Sequence, residues 1–177
     1  MFAASIFLMT WGSLWFSPTV ATAADEICAS CGWQVSVNGD FAHRKDNASV
    51  VIEGAADNAP ACREEINGKN FTVSIAHLPA GKCTVVIGEV ENTASAAGER
   101  LFDVTSGHVA PAKNFDIFAT AGGARKVTSI SGVVEHDDDS LKGALSVSFA
   151  ASKGVAKFNT VERKNSSGAS VISFSAS

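Results

Sequence analysis

The sequence has little charge of either sign and no basic region. Charged residues make up 18% of the 177 positions, and the formal net charge is −4. A nucleic-acid surface needs a stripe of Lys and Arg, and an anionic membrane surface attracts a cluster of them. The chain has neither arrangement, so we expect no nucleic-acid partner.

Local signatures of catalysis or cofactor binding are also missing. Residues 122–126 contain two glycines and two basic residues, but no Gly-Lys-Ser/Thr follows them, so they do not form a phosphate loop. No G-x-S-x-G elbow supports a nucleophilic serine. Asp103 and Asp116 are interpreted as turn and edge hydrogen-bonders, since nothing places them across a cleft. Residues 136–139 lack the spaced ligands of a calcium loop and are predicted to form an acidic turn. We predict no enzyme activity, no cofactor and no metal site.

The first 24 residues have the features of a signal peptide. Residues 6–16 form an apolar stretch of suitable length, Pro18 interrupts it, and residues 21–23 (Ala-Thr-Ala) supply the small side chains that a signal peptidase recognises. No Lys or Arg precedes the stretch, which is atypical. The alternative is an uncleaved signal anchor, although interspersed Thr and Ser residues favour cleavage after Ala23 or Ala24. We therefore expect a mature protein without a stable membrane span, secreted or in the secretory-pathway lumen.

Export changes how the cysteines are interpreted. The chain has four of them: Cys28, Cys31, Cys62 and Cys83. An even number in an oxidising compartment predicts two disulfides, for which three pairings are possible. A redox role for the Cys28-x-x-Cys31 motif would need a helix in a βαβ unit, and zinc would need a second close pair of ligands. Structural disulfides are the favoured interpretation, with the pairing left open.

The dominant hydrophobic period is two residues. Phe71, Val73 and Ile75 alternate with polar residues, and residues 145–149 repeat the pattern. Such alternation is typical of strands with one buried face. Turn sequences interrupt the pattern at short intervals, and no segment has the period of a long amphipathic helix, which together predict an all-β sandwich or barrel. Further strands are predicted at 50–52, 84–87, 101–104, 115–118, 127–134 and 155–161, with a Ser-rich tail or last strand at 166–177.

Two motifs in the middle of the chain resemble the malectin family. They are Gly98-Glu99-Arg100-Leu101-Phe102-Asp103-Val104 and Asn114-Phe115-Asp116-Ile117-Phe118, followed by the Ala-Gly-Gly-Ala of 121–124. Residues 80–90 resemble the strand that precedes them in the family, and the likeness extends over about residues 27–163. The resemblance implies one domain, residues 25–165, with a jelly-roll β-sandwich of the carbohydrate-binding-module type. It also implies non-catalytic binding of glycans or glycoproteins.

The chain departs from the family where the sugar site should be. The family's platform is rich in tyrosine, whereas this sequence contains none. The aromatic pair that should follow the acidic step falls on Glu91-Asn92, and the position before the closing strand, residues 152–154, has no aspartate. Sugar recognition uses flat aromatic faces with a few fixed polar groups. The resemblance therefore implies the fold, and any sugar site must differ from that of malectin.

A rebuilt sugar site has six candidate residues. The aromatic and histidine side chains would supply a stacking face, and the carboxylates and amide would bind hydroxyls: Trp33, Phe41, His43, Glu89, Glu91 and Asn92. In the competing interpretation Phe41 is core, Trp33 packs on a disulfide and the carboxylates are solvated. The leading hypothesis is a lectin-like module, and the alternative is a structural or protein-interaction sandwich that has lost sugar binding.

Three sequons mark glycosylation sites if the source is eukaryotic. They begin at Asn47, Asn70 and Asn165. For Asn70 the prediction requires an outward side chain at the start of a strand.

Overall fold

The computed structural model describes residues 26–28, 33–55, 59–76, 81–106, 109–136, 144–164 and 170–175. Strands make up most of this part of the chain, with two short helices, α1 (Ala59–Cys62) and α2 (Ile117–Ala121). The strands are β1 (Glu26–Cys28), β2 (Trp33–Lys45), β3 (Glu64–Ala76), β4 (Gly81–Val90), β5 (Leu101–Ser106), β6 (Val109–Phe115), β7 (Val127–His136), β8 (Ala144–Lys153), β9 (Ala156–Phe158), β10 (Thr160–Lys164) and β11 (Ser170–Ser175). All the strand pairs are antiparallel, and the prediction of an all-β sandwich is confirmed.

The strands form two sheets. The first has the order β1-β2-β3-β8-β5-β6, with β9 also paired to β3, and the second has the order β11-β10-β4-β7. Alternate residues of both sheets point into one hydrophobic core. Phe149 stacks on Phe71 at 4.7 Å between ring centroids and on Phe158 at 5.4 Å. Val85 and Ile87 of β4 close the core from the second sheet. Each fully buried side chain of this size contributes about 1.5–3 kcal/mol.

A β-bulge between β2 and β3 marks the point at which β3 changes its other partner strand from β8 to β9. Asp40 is opposite Asn70, but the next pair is Phe41 with Gly68, so Lys69 has no opposite residue. On one side of the bulge β3 pairs with β8, and on the other it pairs with β9. The backbone of β2 comes so close to Gly68 that a Cβ there would lie 1.8 Å from the carbonyl oxygen of Asp40. The bulge therefore requires glycine and brings β9 to the end of the sheet where β3 begins.

We expect Gly68→Ala to lower the free energy of unfolding by about 2–3 kcal/mol, because the backbone of both strands must move to admit the methyl group. Denaturant unfolding measures the loss. Gly98→Ala is the control, since nothing lies within 4 Å of the new carbon and only the positive φ of 76° is unfavourable; its cost should be about 1 kcal/mol. Equal losses in the two variants would contradict the steric argument.

The connection between β2 and β3 covers the outer face of the second sheet at the same end. A small apolar cluster forms there from Ile52, Ala55, Cys62 and Val90. Val90 is fully buried although it points away from the main core. This connection was predicted to hold a strand at residues 50–52, but they lie outside the named strands. Because the connection shields β4 from solvent on the outside, the last inward side chain of β4 is enclosed as well.

Residues 115–118, predicted as a strand, instead form the end of β6 and the start of α2. Asp116 is the N-cap, since its Oδ1 accepts a hydrogen bond from the N–H of Ala119 at 2.9 Å, and Gly122 ends the helix at φ 72°. The prediction was wrong because a capping aspartate and a left-handed glycine outweigh the apolar alternation. Asp116 also accepts from the N–H of Gly98 at 2.6 Å. This contact fits its interpretation as a turn hydrogen-bonder.

Two predictions concern the ends of the chain. The Ser-rich end contributes β11, which pairs with β10, as in the last-strand alternative. The signal-peptide prediction for residues 1–24 falls outside the described residues and stays a prediction. No helix in the described ranges is long and apolar enough to cross a membrane.

Candidate functional site

Several buried polar and charged side chains lie close together at the end of the sandwich where β4 ends. We call this group the end cluster and define it as Glu65, Glu89, Glu91, Arg100, Lys157 and Asn159. Glu65 comes from β3, Glu89 from β4 and Lys157 from β9. Glu91 and Arg100 lie at either end of the loop that joins β4 to β5. Charged side chains are rarely buried unless they are paired, so each charged member is expected to have a partner.

Glu91 and Arg100 form a buried bidentate ion pair. The guanidinium Nε donates to Glu91 Oε2 at 2.7 Å and Nη2 donates to Oε1 at 3.3 Å. The backbone N–H groups of Thr93 and Ala94 donate to the same carboxylate at 2.9 and 2.8 Å. Burial by itself would raise the pKa of Glu91, but the Arg100 hydrogen bond, these backbone donors and the positive charge outweigh it and lower the pKa to about 2. Glu91 is therefore ionised and closes the loop on itself.

Lys157 is the second buried cation of the end cluster. It is fully buried on β9, and its Nζ donates to the Glu65 carboxylate and to the backbone carbonyl of Val90. The contact with Val90 joins the first sheet to the end of β4 in the second sheet, and the contact with Glu65 lies within the first sheet. A buried ammonium needs such partners because transfer out of water is unfavourable by several kcal/mol.

Asn159, an uncharged residue, also links the end of β4 to the first sheet through hydrogen bonds. Its Oδ1 accepts from the N–H of Val90 at 2.8 Å, while Nδ2 donates to the carbonyl oxygens of Glu64 at 2.7 Å and Cys62 at 3.1 Å. The amide therefore uses one acceptor and both donors on backbone groups of β4, β3 and α1. It also separates β9 from β10, which explains why the single strand predicted at 155–161 is divided in two.

Glu89 is the exception within the end cluster. Its side chain is fully buried, and neither carboxyl oxygen has a hydrogen-bond partner among the described residues. Burial raises the pKa of Glu89 well above its usual value; Lys157 and Arg100 oppose this rise, and the charges of Glu65 and Glu91 add to it. Glu89 is consequently the carboxyl of the group that most resists ionisation.

The end cluster combines one carboxyl with a raised pKa and one with a lowered pKa, a pairing that enzymes use for acid and base roles. Here, however, both Glu89 and Glu91 are completely shielded from solvent. A glycosidase site needs a substrate and a water molecule between its carboxyl groups. In this conformation neither carboxyl group is accessible to a substrate from solvent.

A shallow pocket of about 280 Å³ lies beside the end cluster. It is lined by Thr93, Ala94, Glu99, Arg100, Gly154 and Val155. Arg100 is one of the lining residues, but its guanidinium nitrogens already donate to Glu91, to Thr93 Oγ1 at 2.8 Å and to the carbonyl of Val155 at 2.7 Å. The pocket therefore presents little free hydrogen-bonding capacity to an anionic ligand.

The six predicted ligand residues fall in two places. Glu89, Glu91 and Asn92 come together at the end cluster, where Asn92 Nδ2 donates to the carbonyl of Cys62 at 3.3 Å. Phe41 and His43 lie on β2. Phe41 is half-buried against the main core, and the His43 side chain is 39% exposed with Nε2 3.5 Å from Glu64 Oε2. Trp33 begins β2, but its side chain lies outside the described residues. The carboxylates are thus neither solvated nor available to a ligand in this conformation.

Sequence reasoning missed Arg100, Lys157, Glu65 and Asn159. A weak signal existed for Glu89, since it continues the inward series Val85 and Ile87 of β4. No comparable signal marked Lys157, whose partner Glu65 is 92 residues away.

Cys62 is a free, buried thiol in the structure, which differs from the predicted disulfide at this position. It packs in the small cluster with Ile52, Ala55 and Val90, as a small apolar residue does. Burial raises the pKa of the thiol, although Lys157 and Arg63 lower it in part. Cys31 and the side chains of Cys28 and Cys83 lie outside the described residues, so their pairing stays a prediction. Cys28, the first cysteine of the Cys28-x-x-Cys31 motif, is the last residue of β1 and is opposite Trp33. Cys28 is therefore in a strand and not at the start of a helix, where a redox motif would lie.

The sequons at Asn47 and Asn70 are exposed, and Asn165 lies outside the described residues. Asn70 lies in the middle of β3 and not at the start of a strand, as its prediction required. Asn47 Oδ1 accepts from the backbone N–H of Ser49 at 3.0 Å and lies 3.1 Å from its hydroxyl. The described residues contain no group of three or more His, Cys, Asp or Glu that could hold a metal ion. The acidic turn predicted at 136–139 falls largely outside the described residues.

No family model and no curated protein matches the sequence. Solved structures do match the fold. The extracellular domain of ANXUR2 from Arabidopsis thaliana is 10% identical, with a TM-score of 0.64 over 73% of this chain and 40% of that one. The complex of the plant peptide RALF23 with FER and LLG2 contains a chain that is 12% identical, with a TM-score of 0.57 over 71% of this chain and 40% of that one.

A bacterial enzyme also contains this fold. Bacteroides uniformis beta-glucuronidase 2 is 13% identical, with a TM-score of 0.58 over 75% of this chain and 14% of that one. The chain thus spans about two fifths of the plant proteins and about one seventh of the enzyme. The plant ectodomains are malectin-like domains. At these identities the likeness concerns the fold, and this chain shares the malectin-like β-sandwich.

Proposed function

We propose that this protein is a non-catalytic binding module of the secretory pathway or extracellular space, and that its partner is a protein or peptide. The observation that carries the proposal is that the described surface has no aromatic platform for a sugar. Phe71, Phe102, Phe149 and Phe158 are buried, and Phe41, Phe115 and Phe118 are half-buried. Tyrosine is absent from the whole sequence. Without a flat aromatic face, a sugar ring loses its main apolar contact.

The outer face of the second sheet suits a protein partner. Its outward residues are small and mostly uncharged: Thr84, Val86 and Gly88 of β4, Ser129, Ser131 and Val133 of β7, and Thr160 of β10, beside the charged Glu162 and Lys164. The two charged side chains lie 3.5 Å apart and pair with each other. Val133 is 59% exposed, so an apolar side chain is available on a flat surface. Low charge is typical of the centre of protein interfaces.

A structural neighbour fits the same proposal. The solved complex of RALF23 with FER and LLG2 shows that a protein with this type of domain assembles with a peptide and another protein. The identity of 12% transfers the fold and not the partner, so we propose only the class of partner for this chain.

Carbohydrate binding is the second candidate. It is favoured by His43, which is exposed on β2 in the same strand as Trp33 and the half-buried Phe41. Such a site would lie on β2 and would not use the enclosed Glu89 and Glu91. Trp33 is then the residue whose ring could stack on a sugar.

One experiment separates the two candidates. We expect a glycan array that includes gluco-oligosaccharides to give no saturable signal with the purified, folded protein. We also expect chemical cross-linking in a secretory-pathway extract to yield a discrete protein adduct. Ser131→Arg, in the middle of the outer face of the second sheet, should abolish that adduct because it places a bulky charge in the contact. Thr105→Arg, exposed on β5 of the other sheet, is the matched control and should preserve the adduct.

Either of two results would overturn the proposal. A saturable glycan signal that is lost in Trp33→Ala would establish the second candidate instead. An adduct lost equally in the Ser131 and Thr105 variants would show that the outer face of the second sheet is not the binding surface.

A further inference from the structure

We propose that Glu89 is a built-in proton site: it stays protonated in the folded protein, and its ionisation loosens the end of the sandwich where β4 ends. The device is separate from the proposed binding function. It would hold this end closed in acidic surroundings and weaken it as the surroundings become alkaline.

The position of Glu89 leaves its carboxyl group shielded from solvent and without a donor among the described residues. On the inner side, it follows Val85 and Ile87 along β4 and points between the two sheets. On the outer side, the neighbouring Val90 is covered by the connection between β2 and β3. Neither carboxyl oxygen has a hydrogen-bond partner among the described residues. An ionised carboxylate in such a place is strongly unfavourable, whereas the protonated acid avoids most of that cost.

The surrounding charges balance without Glu89. Lys157 of β9 is paired with Glu65 of β3, and Arg100 is paired with Glu91 across the loop that follows β4. These four are the charged groups that act on Glu89, two of each sign. An ionised Glu89 would leave three negative charges against two positive ones. Burial opposes that charge most strongly, and the pKa of Glu89 is accordingly well above its usual value.

The contacts of Lys157 link this charge to the local structure. Its Nζ donates to Glu65 and to the carbonyl of Val90, the residue next to Glu89. An ionised Glu89 would compete with both acceptors for the same ammonium. The loop from Glu91 to Arg100 continues directly from this point, so its anchoring at the end of β4 is the first structure to be affected.

The direction of the pH effect follows from the raised pKa. The folded protein holds a proton on Glu89 at pH values where the unfolded chain, with its ordinary pKa, has released it. The stability that this proton provides is fully present below about pH 4.5, the usual value for a glutamate. It is lost progressively as the pH rises toward the folded-state pKa. One proton changes the folding equilibrium by up to about tenfold per pH unit in that interval.

The test compares the wild-type protein with Glu89→Gln by denaturant unfolding from pH 5 to pH 9. Glutamine mimics the protonated acid in shape. The folding equilibrium constant of the wild type should fall by up to about tenfold per unit above pH 5, and that component should be absent in Glu89→Gln. Backbone amide exchange in residues 91–100, corrected for its intrinsic pH dependence, should accelerate with pH only in the wild type. Glu53→Gln, an exposed glutamate in the β2–β3 connection, should leave the wild-type pH dependence unchanged.

A second measurement covers the case in which Glu89→Gln does not fold. Infrared spectroscopy of the wild type at pH 7 should show the carbonyl band of a protonated carboxylic acid that disappears on unfolding. The proposal is overturned if that band is absent. It is also overturned if the wild type and Glu89→Gln fold with the same dependence on pH.

Discussion

Replacing Lys157 with methionine should lower the free energy of unfolding by about 3–5 kcal/mol. The variant removes the buried counter-ion of the Glu65 carboxylate and leaves it only the partly exposed Arg44, whose Nη1 is 3.7 Å away. Lys157 is fully buried, and Glu65 is shielded from solvent beside it. The substitution keeps a side chain of similar length, so the loss does not come from an empty cavity. It also removes the donor to the carbonyl of Val90 and thus one of the bonds that join the two sheets.

Denaturant unfolding at pH 7 measures this loss. In the double variant Lys157→Met/Glu65→Gln the buried charge is gone, and most of the stability should return. Lys113→Met, on the exposed part of β6, is the control and should change the free energy of unfolding by less than about 0.5 kcal/mol. If the single and double variants are equally destabilised, the effect is one of packing and not of an unpaired charge.

Arg100→Met should have an effect of similar size, about 3–5 kcal/mol at pH 7, since Glu91 then keeps its charge in a buried position without its guanidinium partner. The backbone donors of Thr93 and Ala94 would remain. They were sufficient, together with Arg100, to hold the pKa of Glu91 at about 2. Without Arg100, burial should raise that pKa again.

The pH dependence distinguishes this mechanism from a simple loss of contacts. In the wild type, the stability contributed by Glu91 is present above pH 4.5 and is lost as the pH falls toward 2. In Arg100→Met, Glu91 would accept a proton at a higher pH, which relieves the unpaired charge. The destabilisation should therefore be smaller at pH 3 than at pH 7. Arg125→Met, at an exposed turn, is the control, and an equal loss for Arg100→Met at both pH values would contradict the prediction.

The strands were the most predictable part of this protein. The alternation of Phe71, Val73 and Ile75, and of residues 145–149, is visible in the sequence, and these segments pair with each other as β3 and β8. Alternation is a local property: the side chain of each residue in a strand points to the face opposite that of its neighbours. The resemblance to malectin agreed with the same architecture, and solved structures share it.

The strand predicted at residues 115–118 was wrong, because helix α2 begins within it. Phe115 and Ile117 have the spacing of a strand, which predicts a strand over 115–118. Asp116 is also a good N-cap, and Gly122 can adopt the left-handed conformation that ends a helix. Both signals were present in the sequence, but they compete with alternation, and a short segment gives no local means of ranking them.

The end cluster could not have been predicted in the same way. Glu89 and Glu91 were identified as polar residues of interest, and the sequence suggested that they bind sugar hydroxyls. Their actual partners are distant: Arg100 also reaches Val155, 55 residues away, and Lys157 reaches Glu65 across 92 residues. Whether a carboxylate is solvated, paired or protonated depends on those long-range neighbours.

The sequence by itself determined that this chain forms strands with one buried face, because strand formation and turn chemistry depend on neighbouring residues. It also determined the absence of a tyrosine platform. Only the tertiary structure decided that the carboxyl groups of Glu89 and Glu91 are enclosed. Glu91 is ionised against Arg100, and Glu89 has no hydrogen-bond partner within the described part of the chain. The physical reason is that burial and charge pairing are set when distant strands pack together, and the β3 bulge at Gly68 fixes which strands meet there.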